Sequence, residues 1–191
     1  MTRAVYVIGP PGVGKSTLME GLLADYVRSL PVKVPSPPRT TSLVFEPMAY
    51  RGFDDYAVSL GYRRKQFSGT DALGMSVNPQ AVAWAEQFAT DWDEVWGEGA
   101  RLANKAFLLA LDRHTDLTVV ELLAPWDVLT ERCARRGSAQ TESWRRGAAT
   151  RAHNLSSELM MRGVRVHSVE ATDCASDVLD DTEHLLRELG W

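Results

Sequence analysis

The chain has 191 residues, of which 45% are hydrophobic, and its formal net charge is −4 at neutral pH. This length supplies one well-buried core and is short for two, so we expect a single domain over residues 1–191. The net negative charge gives no general attraction to nucleic acid. The first apolar run, residues 4–8, is too short for a signal peptide or a membrane span, which favours a cytoplasmic protein without a membrane partner.

The amino-terminal part of the chain predicts a strand, a glycine loop and a helix. Residues 4–8 are rich in β-branched and aromatic side chains, which predicts a buried strand. Apolar residues at helical spacing then predict a helix over residues 15–30, where Pro31 ends the pattern. Residues 31–77 predict a short second strand, a hairpin around residues 45–56 and a long loop. Because long loops in compact domains are more often functional than idle, we place an acceptor-site insertion at about residues 35–77.

The remainder of the chain alternates strands and helices. Asn78 and Pro79 are typical of an N-cap followed by proline in the first turn, and predict a helix over residues 78–90. Further strands are predicted at residues 94–97, 118–123 and 164–169, and further helices at residues 102–111, 125–136, 143–162 and 175–189. This alternation predicts an α/β three-layer sandwich with a mostly parallel sheet, whose active-site loops follow the carboxyl ends of the strands.

The sequence GPPGVGKS at residues 9–16 matches the Walker A pattern GxxxxGK[ST], between a predicted strand and a predicted helix. Its glycines let backbone amides turn inward around phosphate groups, where side chains would intrude. Lys15 is expected to reach the β- and γ-phosphates, and the Ser16 hydroxyl to ligate magnesium. The motif therefore predicts ATP and Mg²⁺. The predicted nucleotide-binding residues are Gly9, Gly12, Val13, Gly14, Lys15, Ser16 and Thr17.

This loop, the compact size and the arginine-rich helices near the end make the chain similar to the P-loop kinases of nucleosides, nucleotides and related small substrates. The resemblance implies the P-loop NTPase fold, and a lid whose arginines neutralise the transferring phosphoryl group. The lid is placed at about residues 132–151. Its arginines are Arg132, Arg135, Arg136, Arg145, Arg146 and Arg151. We assign Arg132 and Arg136 to catalysis and Arg145 and Arg151 to substrate binding. Since Arg135 follows Glu131 by four residues, some of these arginines can instead be paired on a helix face.

A kinase also needs a carboxylate that orients or deprotonates the acceptor hydroxyl, and often another that holds magnesium through water. Glu98 follows a predicted strand in a Walker B-like place, and Asp71 lies in a stretch of small residues. The sequence does not decide which of the two is the base, and each is also consistent with an ordinary loop carboxylate or, for Asp71, a cap. Further candidates for acceptor binding are Arg63, Arg64, Thr70 and Arg101.

Together these features predict an ATP- and magnesium-dependent phosphotransferase whose acceptor is a nucleotide or nucleoside-like molecule. A second hypothesis is a kinase of a hydroxymethylated base in DNA, similar to the hydroxymethyluracil DNA kinases of bacteriophages. In that case the aromatic and basic segment 50–67 and the lid arginines would hold the strand. A third hypothesis is a P-loop ATPase switch. A GTPase is disfavoured because Asn104 and Lys105 are not followed by the guanine-reading Asp.

Overall fold

The protein is described by a computed structural model that covers residues 1–33, 43–51, 56–63, 68–172 and 174–191. The strands within these ranges are β1 (Arg3–Ile8), β2 (Tyr26–Arg28), β3 (Val32–Lys33), β4 (Val44–Tyr50), β5 (Tyr56–Leu60), β6 (Glu94–Glu98), β7 (Asp116–Leu123) and β8 (Arg165–Glu170). The α-helices are α1 (Lys15–Leu22), α2 (Asn78–Phe88), α3 (Lys105–His114), α4 (Trp126–Arg135), α5 (Glu142–Met161) and α6 (Ala175–Glu188). Two 3-10 turns lie at Gly69–Ala72 and Ala89–Asp91.

One sheet forms the middle layer, in the order β2-β4-β5-β6-β1-β7-β8, with β3 paired to β4. From β5 to β8 every neighbouring pair is parallel. Parallel strands are covered on both faces, and the apolar residues 4–8 of β1 are accordingly at most 1% exposed. The α/β fold with a mostly parallel sheet is confirmed. All five parallel strands end at the same edge, which brings the loops after β1, β5 and β6 together.

The edge of the sheet beyond β5 is antiparallel. The hairpin predicted around residues 45–56 is confirmed, since β4 and β5 pair with Phe45 opposite Leu60. The helix predicted over residues 15–30 is wrong beyond Leu22, because residues 26–28 form β2 against β4. Val27 and Leu30, which the helical spacing counted as apolar face, are 58% and 85% exposed. Pairing with β4 satisfies the backbone of β2, whereas a longer helix would leave these side chains without a core.

Two apolar layers hold the helices onto the sheet. On one face β1 contributes Ala4, Tyr6 and Ile8 to a core shared with α2, α3 and α5. On the other face it contributes Val5 and Val7 to a core shared with α1, α4 and α6. This alternation is the two-residue period of a strand buried on both sides, and it produces the predicted three layers.

Caps fix where the helices around the site begin. The side chain of Asn104 accepts from the amide of Phe107 at 3.1 Å, so α3 begins three residues later than predicted. Thr141 accepts from the amide of Trp144 at 3.3 Å and starts α5 within the predicted lid, residues 132–151. Asn78, the predicted cap, is the first helical residue of α2 and Val77 takes the capping position. Every helix in the described ranges is too short or too polar to cross a lipid bilayer.

Candidate active site

The Walker A loop leaves the end of β1 and enters α1, as its sequence predicts. Gly9, Gly12 and Gly14 have φ of 143°, 86° and 107°, in the region that side chains disfavour. A Cβ on Gly9 would lie 2.6 Å from the carbonyl oxygen of Leu122, and one on Gly12 would lie 2.7 Å from Sγ of Cys133. These two glycines are therefore fixed by packing as well as by dihedral angle. Gly14 has open space on the corresponding side.

Lys15 and Ser16 open α1 beneath this loop. The Lys15 ammonium donates to the carbonyl oxygens of Gly9 and Pro10, both at 3.0 Å. Burial lowers the pKa of Lys15, although the nearby carboxylates of Glu98 and Asp71 oppose that shift. A cation held only by neutral carbonyls is not fully compensated. The side chain is thus suited to exchange those carbonyls for the phosphate oxygens of a nucleotide.

Glu98 is the last residue of β6 and is 3% exposed. Its Oε1 accepts a 2.9 Å hydrogen bond from the hydroxyl of Ser16. Burial raises the pKa of Glu98 from 4.5 to about 7, and the charge of Lys15 and the bond from Ser16 limit the rise. This carboxyl therefore changes charge close to neutrality, beside the residue expected to bind magnesium.

Asp71 lies in the 3-10 turn Gly69–Ala72 and faces the loop that follows β6. Its Oδ1 accepts from the backbone amides of Ala100 and Arg101 at 2.8 and 3.0 Å. Within the described part of the chain Oδ2 has no hydrogen-bond partner, and Asp71 lines the main cavity. One oxygen is thus anchored while the other is available to a ligand.

A buried hydrogen-bond network joins this turn to β1. The hydroxyl of Tyr6 donates to the backbone carbonyl oxygen of Gly99 at 2.9 Å. The hydroxyl of Thr70 donates to the backbone carbonyl oxygen of Glu98 at 2.8 Å. The two hydroxyl oxygens are 2.9 Å apart, and both residues are fully buried. A Cβ on Gly69 would lie 2.4 Å from Oε1 of Glu98. The two loops that carry Asp71 and Glu98 therefore pack backbone to backbone.

The structure separates the six lid arginines by their partners. Arg132 donates to the carbonyl oxygens of Ala171, Thr172 and Val13 at 2.7, 3.3 and 3.4 Å, so it braces the Walker A loop against the chain after β8. Arg135 pairs with Glu131 at 2.5 Å, as its spacing allowed.

Two further arginines of the lid lie against Trp126. Arg145 is 9% exposed and places its guanidinium 5.2 Å from the centroid of that ring. Arg146 lies over the same ring at 4.2 Å and pairs with Glu142 at 2.8 Å. In the described ranges only Arg136 and Arg151 of the six have no ion pair or side-chain hydrogen bond, and both line the main cavity. These two are the lid arginines best placed to bind a ligand.

The main cavity has a volume of about 710 Å³ and runs over the Walker A loop. One end is bordered by α6, through Cys174, Ala175 and Val178. The other end is bordered by the loops after β5 and β6, through Ser68, Asp71, Glu98, Gly99, Ala100 and Ala103. The lid side contributes Arg132, Arg135, Arg136, Gln140, Trp144, Ala148, Arg151 and Ala152. This volume is in the range of small-molecule sites. The residues predicted to bind the nucleotide and the residue predicted to bind the acceptor, Asp71, line the same cavity.

The remaining predicted acceptor residues lie outside the main cavity or outside the described part of the chain. Arg64 belongs to the residues that the structure does not describe. Arg63 is exposed and borders a second, small cavity of about 20 Å³ beside Ser16 and Glu98. The side chain of Arg101 contacts Sδ of Met75, and Thr70 is buried in the network described above.

Two residues of the site were not predicted from the sequence. Tyr6 was interpreted as core, and it is buried, but its hydroxyl also fixes the loop after β6. A buried tyrosine in an otherwise aliphatic strand needs a partner for its hydroxyl, which is the available signal. For Trp144, the sequence offers no indication of a role in the site beyond its place in an arginine-rich segment. It is 46% exposed and lines the cavity.

Comparisons with known proteins agree with this geometry. The model of the family P-loop Nucleotide Kinase3 matches residues 1–187. A search of curated proteins gives no match. A sugar kinase from Janibacter sp. HTCC2649 is similar in structure with a TM-score of 0.54 and 15% identity, over 98% of this chain and 95% of that one. A gluconokinase from Sinorhizobium meliloti 1021 has a TM-score of 0.50 and 15% identity, over 98% of this chain and 93% of that one. At this identity the two structures show the fold alone. Because the family model spans nearly the whole chain, and its Walker A residues line a cavity with two carboxylates, the chain belongs to the P-loop nucleotide kinases and is a phosphotransferase.

Proposed function

We propose that the protein transfers the γ-phosphoryl group of ATP to a hydroxyl group of a nucleotide or nucleoside-like small molecule, with Mg²⁺ as the metal. One observation carries the proposal. The anchored carboxylate of Asp71 lines the same cavity as the Walker A residues Lys15 and Ser16, with one oxygen free for an acceptor.

The residues at the loop fit a magnesium-bound nucleoside triphosphate. Lys15 is half-buried, its ammonium donates to two carbonyl oxygens, and the glycine loop of residues 9–14 lines the cavity. Ser16 offers a hydroxyl ligand, and Glu98 accepts from that hydroxyl, an arrangement suited to holding a metal-bound water as well. Magnesium, when bound, neutralises charge on the phosphates. The cytoplasmic setting expected from the sequence is consistent with this pairing.

The two carboxylates support different roles, which the sequence left open. Glu98 touches Ser16 and is assigned to the metal side. Asp71 has its Oδ1 held by two amides and is assigned to the acceptor, whose hydroxyl would donate to Oδ2. In the reaction the acceptor oxygen forms a bond to the γ-phosphorus while the bond from that phosphorus to the β-γ bridging oxygen breaks. The hydroxyl proton passes to Asp71 and from there to solvent.

A hydroxyl acceptor suits this site better than a phosphate acceptor. An anionic oxygen placed against Asp71 would meet a carboxylate that has no hydrogen to donate, and Glu98 lies in the same wall. A hydroxyl brings its own hydrogen to the free oxygen. Arg136 lines the cavity, and its charge contributes to the lowered pKa of Lys15, which supports a role in neutralising the transferring phosphoryl group.

A hydroxymethylated base in DNA remains the second candidate, because it presents the same acceptor chemistry, a primary hydroxyl. The segment 50–67 that motivated this hypothesis lies partly outside the described residues, at 52–55 and 64–67. The net charge of −4 favours the free small molecule. A nucleotide switch that only hydrolyses ATP is the third candidate.

The experiment is transfer of labelled γ-phosphate from ATP and Mg²⁺ to a panel of nucleosides, nucleotides and sugars, and to DNA with and without 5-hydroxymethyluracil. We expect label on a free small molecule with the wild-type protein, about 10²–10⁴-fold slower labelling with Asp71→Asn and none with Lys15→Ala. Label on DNA that contains 5-hydroxymethyluracil would identify the base, and not a small molecule, as the acceptor. Label released only as inorganic phosphate would contradict a kinase.

A further inference from the structure

A glycine lies inside helix α5, whose first half belongs to the predicted lid. Helix α5 has 20 residues, and Gly147 is in its second turn. A glycine in a helix interior costs roughly 0.5–1 kcal/mol relative to alanine. A Cβ on Gly147 would lie 3.3 Å from Nη1 of Arg151, tighter than ordinary contacts. The guanidinium of Arg151 therefore extends toward the start of the helix, and a Cβ at position 147 would require it to shift by a few tenths of an ångström.

The charge of Arg151 is not used within α5. The two acids of this helix are engaged elsewhere, since Glu142 pairs with Arg146 and Glu158 pairs with Lys105, both at 2.8 Å. In the described part of the chain no carboxylate forms an ion pair with Arg151, which lines the main cavity. A cation kept free at a cavity wall is available to an anionic ligand.

The position of Arg151 along α5 places it at the acceptor end. The contact between Lys105 and Glu158 ties α5 to the start of α3. Arg151 precedes Glu158 by seven residues, about 10 Å of helix, and so lies beyond the start of α3 in the direction of the lid. Arg151, Ala100 and Ala103 all line this cavity, and Ala100 belongs to the loop whose amides hold Asp71.

The surrounding side chains leave room for a ligand at this position. Ala148 and Ala152 flank Arg151 on the cavity side of α5, and both are small. Arg136, by contrast, comes from the lid side of α4 and acts on Lys15 electrostatically. Arg136 therefore lies close enough to Lys15 to affect its pKa, an effect that Arg151 does not show.

We propose that Arg151, given space by Gly147, binds an anionic group that the acceptor itself carries, a phosphate or a carboxylate separate from the hydroxyl that is phosphorylated. The inference rests on the proposed function and names the acceptor class: a small hydroxylated anion. Gly147 is a positioning residue, because it acts through Arg151.

The test uses acceptors in matched neutral and anionic pairs, a nucleoside with its 5′-monophosphate and a sugar with its sugar acid. We compare the wild-type protein with Arg151→Gln, Arg151→Lys and Gly147→Ala, and with Arg162→Gln as the control on the same helix, since Arg162 is exposed and pairs with Glu158. The pair in which the wild-type protein prefers the anionic member shows whether the bound group is a phosphate or a carboxylate. Arg151→Gln is expected to raise the KM of the anionic member about ten- to a hundredfold, and to change the KM for ATP and the rate on the neutral member far less. Lysine should restore part of the loss.

Gly147→Ala separates the ligand role from a structural one. The substitution favours the helix, so we expect a higher Tm together with a raised KM for the anionic acceptor. A wild-type preference for the neutral member would overturn the proposal. So would equal losses on both members with a raised KM for ATP, because Arg151 would then bind the transferring phosphoryl group. Calorimetry of the anionic acceptor with wild type and Arg151→Gln measures the contribution of Arg151 to acceptor affinity without turnover. Failure of the kinase assignment is therefore distinguishable from failure of the assignment of Arg151.

Discussion

The hydroxyl of Ser16 and the carboxylate of Glu98 are joined by a 2.9 Å hydrogen bond across 82 positions of sequence. The bond connects the first turn of α1 to the end of β6, and so ties the Walker A segment to the strand that carries Glu98. It also places a carboxylate whose pKa is about 7 next to the residue expected to hold magnesium. The protonation of Glu98 should therefore affect both stability and metal use.

Glu98→Gln should stabilise the protein at alkaline pH. In the folded state the pKa of Glu98 is raised from 4.5 to about 7, so the folded protein holds a proton between these values that the unfolded chain releases. The free energy of unfolding of the wild type then decreases as pH rises from about 4.5 through 7. Glutamine does not titrate. We expect the variant to be more stable at pH 8 by up to about 3 kcal/mol, with little difference at pH 4.5.

Urea unfolding at several pH values measures this difference. Asp112→Asn is a suitable comparison. Burial also raises the pKa of Asp112, and in the described structure this residue lies far from the Walker A loop. Equal stability of wild type and Glu98→Gln at pH 8 would contradict the burial of an ionised carboxylate at this position.

Asp71→Asn and Glu98→Gln should affect different steps. Loss of the base at Asp71 is expected to lower kcat by about 10²–10⁴-fold while leaving the dependence on magnesium concentration unchanged. Loss of the Glu98 charge should instead raise the magnesium concentration needed for half-maximal rate. Steady-state rates over a magnesium series measure both effects. The opposite pattern would exchange the two roles.

Lys15→Met should abolish phosphoryl transfer without unfolding the protein. The ammonium is half-buried and donates to two carbonyl oxygens, and removing this cation avoids the cost of its partial desolvation. Lys105→Met is the matched control, because Lys105 is an exposed lysine paired with Glu158. We expect the control to keep wild-type transfer rates. Measurable transfer in Lys15→Met, by labelled-phosphate assay, would remove Lys15 from catalysis.

Arg136→Gln should lower kcat by about 10²–10³-fold, whereas the neighbouring Arg135→Gln should change it less than twofold. Arg135 is held in an exposed pair with Glu131, of the kind that contributes little. Arg136 has no such partner in the described part of the chain and lines the cavity. Rates with saturating ATP distinguish the two. Similar losses in both variants would indicate that the lid responds to net charge alone.

Tyr6→Phe should reduce kcat about tenfold with the KM for ATP unchanged. The substitution keeps the ring in the core and removes the hydroxyl that bonds to Gly99 and lies beside Thr70, which loosens the turn carrying Asp71. Thr70→Ser keeps a hydroxyl and should restore most of the activity lost in Thr70→Val. Thr115→Val is the control, since the Thr115 hydroxyl is also buried and bonded to a carbonyl, that of Leu111. A loss of stability alone, with normal kcat in Tyr6→Phe, would show that the network is only structural.

Much of the fold follows from local sequence, because β1 is an apolar run closed by glycine and proline and the later strands and helices alternate along the chain. The Walker A loop is likewise a local pattern, and Lys15 and Ser16 lie where it predicts. The error at residues 23–30 has a different origin. Tyr26 and Val27 recur at helical spacing, yet they also favour strands, and the deciding partner is β4, twenty or so residues later.

The rest of the site depends on contacts that local patterns do not contain. The sequence identified Asp71 and Glu98 but left their roles open, since the amides that hold Asp71 lie about 30 residues away. It also identified six lid arginines without ordering them. Which of them is free depends on carboxylates and a tryptophan that helix spacing only partly predicts, as the pairing of Arg135 with Glu131 shows.

The central position of β1 bears on how the protein is made. This strand is synthesised before β6 and β7, its neighbours in the sheet, with Ile8 opposite Glu121. A nascent chain that ends before about residue 120 therefore has the whole Walker A sequence and no complete sheet to support it. Cys133, which packs beneath Gly12, arrives later still. We expect that a ribosome-bound chain acquires nucleotide affinity only after α4 has emerged, so that ATP reports completion of the fold during translation.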